Sequence, residues 1–283
     1  MRWEEGRESA NVEDQRGFPI GFRGGSLGCG GLILLLIISW ITGVNPLQLL
    51  NMVQGNSPST EVSSPATRQQ EPGRPQGSAP ADKLGRFASV VLASTEDVWT
   101  EIFSRNGKTY EKPKLVLFTQ MSESACGLAQ AAVGPFYCEQ DHKVYLDLSF
   151  FQELSRRFGA SGDFADAYVI AHEVGHHVQN QLGLFDRVGG SRRNNATSVR
   201  IELQADCYAG VWGFHANQKS HMIEPGDFEE GLKAAAAIGD DRLQRMQQGT
   251  IQPESFTHGS SSDRASWLRR GLESGDPARC NTF

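Results

Sequence analysis

Apolar and polar positions follow three regimes along the chain. From Leu27 to Leu50 there is no charged residue, and the stretch Gly31–Val44 (GLILLLIISWITGV) is strongly apolar. A bilayer-spanning helix needs about 20 such residues, so the pattern predicts a transmembrane helix over 27–50. Arg2, Arg7, Arg16 and Arg23 precede the run, and no Lys or Arg follows it before Arg68. Basic residues stay on the cytoplasmic side. The expectation is a cytoplasmic tail over 1–26, a single crossing of the inner (cell) membrane, and an extracytoplasmic, periplasmic remainder. A cleaved signal peptide is the rival, but a long polar stretch precedes the run and no small-x-small site ends it. Residues 51–82 are rich in Pro, Ser and Gly, cannot bury a core, and read as a disordered linker. The folded domain is expected over 83–283.

Within that domain the periodicity changes between 3.6 and 2. Asp82 can cap a helix running to about Ser104, with Leu84, Phe87, Val91, Val98 and Ile102 as core candidates. Lys114–Thr119 and Val144–Leu148 read as strands, and Leu148–Phe158 as a short helix. Phe164, Tyr168, Ala171, Gly175, Val178 and Leu182 step by four and three, so a helix with one buried stripe is predicted over about 163–182, with Asp163 as N-cap. A helix over about 198–217 is apolar on most sides, and a further one is expected over about 227–238. Helices around a small sheet give an α+β fold class.

Charge and cysteine usage narrow the field. The net charge is −6, with no basic cluster to suggest nucleic acid. Of five cysteines, Cys29 falls in the apolar run, and Cys126, Cys138, Cys207 and Cys280 fall in the folded part. Four cysteines allow three pairings. The favoured one joins Cys126 to Cys138 and Cys207 to Cys280, which suits an exported domain; four reduced buried thiols are the alternative.

The chemistry rests on His172-Glu173-Val174-Gly175-His176. Histidines four apart on a helix project from one face and can share a zinc ion, and a glutamate beside the first can act as general base. The stripe Ala165, Val169, His172, His176 borders the buried stripe, as a cleft site requires. A catalytic zinc site needs a third protein ligand. Glu202, in the buried helix, is the candidate, because a carboxylate there is costly unless paired or bound to metal; a salt bridge to Arg200, Arg242 or Arg245 is the alternative. Asp206, one turn on, can accept a hydrogen bond from the free ring nitrogen of His172. His177 points about 100° away and has no place in the metal set. Asp240, Asp241 and Arg242 read as a structural ion-pair cluster.

H-E-x-x-H followed by a helical E-x-x-x-D resembles the thermolysin-type zinc peptidases. More closely, the chain resembles the bacterial neutral zinc metallopeptidase family of membrane-anchored proteases. The matching stretches are Arg2-Trp3 with Asn11–Asp14, Ala125–Gly127, Gly134–Cys138, Val144–Asp147, Ala171–Gln179, Glu202–Cys207, Gly239–Arg242 and Phe256–Gly259, spread over the whole chain except the linker. The resemblance implies a zincin-like domain, one catalytic zinc ion on His172, His176 and Glu202, Glu173 as general base, and a peptide or protein substrate. By analogy with thermolysin-type enzymes it makes His258 the oxyanion donor, with Tyr208 the alternative beside Asp206. It also suggests that the Val144–Leu148 strand is the edge along which an extended peptide would pair. Two other classes remain open: a zinc-stabilised binding or scaffolding module without turnover, and a zinc amidase acting on a non-peptide or cell-wall substrate.

Overall fold

A computed structural model describes residues 1–17, 80, 82–131, 134–190 and 194–283. The transmembrane expectation over 27–50 and nearly all of the linker lie outside the described residues. Among the described residues no helix is long and apolar enough to cross a membrane.

The architecture is α+β. A four-stranded sheet is built from Val12–Asp14 (β1), Lys114–Phe118 (β2), Phe136–Cys138 (β5) and Lys143–Asp147 (β6), in the order β1-β2-β6-β5. The first three in that order run parallel, and β5 lies antiparallel at the edge. Met121–Ser124 (β3) and Gly127–Gln130 (β4) form a separate antiparallel hairpin. Alternation decides the two faces of the sheet. Leu115, Leu117, Val144 and Leu146 join the main core. Val116, Phe118 and Tyr145 form a second cluster with Ala129 and Cys138.

The helices are Lys83–Arg105 (α1), Ser149–Arg156 (α2), Asp163–Gln181 (α3), Leu184–Val188 (α4), Asn195–Ser220 (α5), Asp227–Ala237 (α6), Asp240–Gln248 (α7) and Ser261–Ser274 (α8). Asp82 caps α1 as expected, its side chain accepting from the Gly85 amide at 3.0 Å. Asp163 is instead the first residue of α3, and Gly162 holds the cap position at φ 126°. That backbone conformation favours glycine, and a Cβ there would sit 2.0 Å from the Glu230 carboxyl carbon. The Asp163 carboxylate accepts a hydrogen bond from Trp3 Nε1 at 3.0 Å.

The expected tail over 1–26 is corrected over its described part. Residues 1–17 belong to the same compact unit as residues 75–283. Trp3 and Val12 are core residues, and β1 is hydrogen-bonded to β2 through the Leu115 amide and the Asn11 carbonyl at 2.9 Å. A domain beginning at 83 therefore leaves out one strand of its own sheet. The positions concerned, Arg2-Trp3 and Asn11–Asp14, carry family resemblance for a structural reason.

Candidate active site

The site lies where α3 and α5 cross. The approach is close because Gly175 has no side chain: a Cβ there would lie 2.9 Å from the Ala205 carbonyl oxygen and 3.1 Å from its Cα. Ala205 sits between Glu202 and Asp206, so the contact carries both carboxylates of α5 up to the histidine face of α3. The crossing converts two helical motifs, far apart in sequence, into one constellation.

His172, His176 and Glu202 each offer one ligand atom, and these atoms all lie within 4.8 Å of one another. His172 Nε2 is 3.1 Å from one Glu202 oxygen, and His176 Nε2 is 3.5 Å from the other. Both Nδ1 atoms are engaged on the far side of the rings. His172 Nδ1 meets Asp206 Oδ1 at 2.8 Å, and His176 Nδ1 meets Gln179 Oε1 at 2.9 Å. Hydrogen bonds from Nδ1 to these oxygens leave both Nε2 lone pairs aimed at Glu202, the tautomer a metal ligand needs.

The electrostatics call for a cation. Burial alone would lower the His172 pKa, but Asp206 and Glu202 outweigh it and raise it to about 10. Burial alone would raise the Glu202 pKa, but His176 and His172 hold it well below the usual carboxylate range. A proton meets that demand in the metal-free protein, and the two imidazoles and the carboxylate are donors that could hold a metal ion instead.

Behind His172 stands a group that the sequence reading missed. Arg264, on α8 and 2 % exposed, donates to both oxygens of Asp206 at 2.9 Å and to the Tyr168 hydroxyl at 3.2 Å. Tyr168 in turn donates to Asp206 Oδ1 at 2.6 Å. Asp206, fully buried, therefore receives Arg264, Tyr168 and His172 together. Burial raises its pKa and the two cations outweigh that, so it stays ionised. α8 reaches this depth because glycines meet at its crossing with α5. A Cβ on Gly271 would fall 2.0 Å from the Cys207 carbonyl oxygen, and one on Gly210 would fall 2.2 Å from that of Leu268. The Cys207–Cys280 disulfide ties the chain's last residues to the same helix. A lone arginine on the apolar stripe of α8 (Arg264, Leu268, Gly271, Leu272) was the available signal.

A cavity of about 700 Å³ opens over the ligand triad. His172, Glu173, His176, Glu202, His258 and Arg264 face it, with Phe136, Phe150 and Phe158 among its apolar walls. Glu173 lines the cavity and makes no hydrogen bond or ion pair among the described residues. The His258 loop is held by Asp240, whose Oδ2 accepts from the backbone amides of Thr257, His258 and Gly259 at 2.7, 2.6 and 3.0 Å. Asp240 Oδ1 lies 3.3 Å from His258 Nδ1 and raises that histidine's pKa. Asp240 is thus more than a member of an ion-pair cluster. Asp241 accepts from Ser261, and Arg242 donates to the Phe158 carbonyl.

Tyr208 is corrected. It is a core residue packed edge-on against Trp99 with ring centroids 5.4 Å apart, and it does not line the cavity. Two positions separate it from Asp206, which places the pair on opposite sides of α5. The substrate-edge expectation also moves: β6 lies inside the sheet between β2 and β5, and the edge strand beside the cavity is β5. The Cys126–Cys138 disulfide, formed as favoured, pins the end of that strand to the β3–β4 hairpin. His177 is buried away from the triad, its ring nitrogens meeting the Tyr137 hydroxyl and the Glu111 carbonyl.

A His-His-Glu cluster whose first histidine is buried narrows the comparison with known proteins. The family profile described as "Putative neutral zinc metallopeptidase" matches residues 1–283. The chain belongs to this metallopeptidase family. It is 49 % identical to the uncharacterized protein YpfJ of Escherichia coli K12, covering 100 % of this chain and 99 % of that one. It is 43 % identical to the uncharacterized protein Rv2575 of Mycobacterium tuberculosis H37Rv, covering 70 % of this chain and 71 % of that one. No solved structure matches the chain.

Proposed function

We propose that this chain is a zinc-dependent peptidase, zincin-like in its site, that hydrolyses peptide bonds with Glu173 as general base. The observation that carries the reading is the convergence of His172 Nε2, His176 Nε2 and a Glu202 oxygen, with both Nδ1 atoms occupied and Glu173 at the cavity wall without an ion-pair partner among the described residues. A bound zinc ion supplies Lewis acidity there, polarising a carbonyl and acidifying a water. Glu173 accepts the proton of the attacking water and returns it to the leaving amine. Asp240 accepts from His258 Nδ1 and favours the protonated ring, and the imidazolium has a second N–H, at Nε2, to donate to the oxyanion that develops on the substrate. Asp206, fixed by Arg264 and Tyr168, holds His172 in one tautomer and orientation. The free edge of β5 offers backbone partners to an extended peptide.

Metal-stripped full-length chain tests this. It is expected to lose cleavage of an unfolded protein substrate and to regain it on addition of one equivalent of zinc. A chain that binds zinc tightly, with binding lost in Glu202→Ala, yet cleaves no peptide supports the scaffolding reading instead. Cleavage confined to cell-wall amides moves the reading to an amidase.

A further inference from the structure

We propose that residues 1–17 lie on the same side of any membrane as the active site, so that the chain makes no net crossing over the stretch of sequence that holds the apolar run 27–50. The reasons lie in the described residues on either side of that run. β1 is one of the four strands of the sheet, in register with β2 over three residues. Hydrogen bonds run from the Leu115 amide to the Asn11 carbonyl at 2.9 Å and from the Gln15 amide to the Leu117 carbonyl at 2.8 Å. Trp3 stacks edge-on with Phe87 at 5.2 Å and binds Asp163 at the first turn of the helix that carries His172 and His176.

Glu96 makes the dependence mutual. Its side chain is 1 % exposed. Ser9 Oγ donates to it, as do Asn11 Nδ2 at 2.8 Å and Arg7 Nη2 at 3.1 Å. Among the described residues, its remaining side-chain partner outside residues 1–17 is Lys112 at 3.6 Å. Without residues 1–17 the domain would bury an almost unpartnered carboxylate, a strongly unfavourable state. The two ends of the intervening segment also meet: Arg16 Nη2 binds Asp82 Oδ2 at 2.6 Å while it holds Asp14 at 2.7 Å.

A single crossing would place about 30 Å of hydrocarbon between β1 and β2, and no ladder forms across that distance. Residues 51–82 cannot provide a return crossing. They contain Glu61, Arg68, Glu71 and Arg74 and five prolines, and charges at the bilayer centre are strongly disfavoured. Two of the four arginines that suggested a cytoplasmic tail have structural work instead. Arg7 pairs with Glu96 and Asp97, and Arg16 with Asp14 and Asp82. The proposal concerns topology and stands whether or not the site turns over substrate.

The test uses full-length protein in which Cys29→Ser removes the cysteine outside the two disulfides. Glu5→Cys and Glu123→Cys, both exposed positions, are made separately and treated with a membrane-impermeant maleimide, first on spheroplasts and then after lysis. The expected result is identical behaviour: both label before lysis, or both only after it. Labelling from opposite sides overturns the proposal.

Discussion

Asp206→Asn and Arg264→Met, alone and together, separate the two tasks of the buried pair behind His172. Asp206 is fully buried and Arg264 is 2 % exposed, with two contacts of 2.9 Å between them. Removing one partner of a buried ion pair leaves the other uncompensated and costs about 3–5 kcal/mol. That is a fifth or more of the roughly 5–15 kcal/mol that holds a typical domain together. Replacing both removes the unmatched charge, and neutral replacement of a buried pair is often close to neutral. The double variant should therefore be more stable than either single one in denaturant titration of the zinc-free protein. Zinc affinity should behave differently. Asp206→Asn weakens the hold on His172 Nδ1, so affinity should fall about 10- to 100-fold, and adding Arg264→Met should not restore it. Losses of stability that simply add, to within about 0.5 kcal/mol, would refute the coupling. Wild-type zinc affinity in Asp206→Asn would refute the role assigned to Asp206.

Gly175→Ala should push α5 away from α3, because its Cβ would meet Ala205 backbone at 2.9–3.1 Å; zinc affinity measured by chelator competition should fall while the helical circular dichroism persists. His258→Ala should lower kcat about 10²- to 10³-fold, as loss of an oxyanion donor does, with bound zinc unchanged, whereas Tyr208→Phe should leave turnover intact. Asp166 has its pKa raised from 3.8 to about 7 by burial and by the charges of Asp163 and Glu230. The fold thus favours its protonated form, and this contribution to stability is complete below about 3.8 and is lost as pH rises through about 7. Asp166→Asn should melt at the wild-type temperature near pH 4 and several degrees higher at pH 8, and a constant difference across that range would contradict the assignment.

The elements of the candidate site were legible because local pattern and chemistry agree there. The H-E-x-x-H helix needs only a 3.6 period to place both histidines on one face, and a carboxylate in an apolar helix already demands a cation. Asp82 as N-cap and the Cys126–Cys138 disulfide, with a sequence separation of 12, followed from equally local signals. What escaped depends on distant partners. Arg264 reaches Asp206 only because glycines at 210 and 271 let two helices touch, a pairing with no local signature. Asp240 looked like one charge in a cluster, and only the fold brings it under the His258 loop. β1 has three residues, too short for periodicity, and lies before an apolar run whose arginine asymmetry suggested a different compartment. Tyr208 failed for a geometric reason: proximity in sequence to Asp206 turned it to the opposite side of the helix.

The most direct test of the peptidase reading compares wild type with Glu173→Gln in the full-length chain, by metal analysis and peptide cleavage on the same samples. The account predicts one zinc per chain in both, and kcat/KM lower by about 10²- to 10⁴-fold in the variant. Equal cleavage by the two proteins at equal zinc content would contradict it.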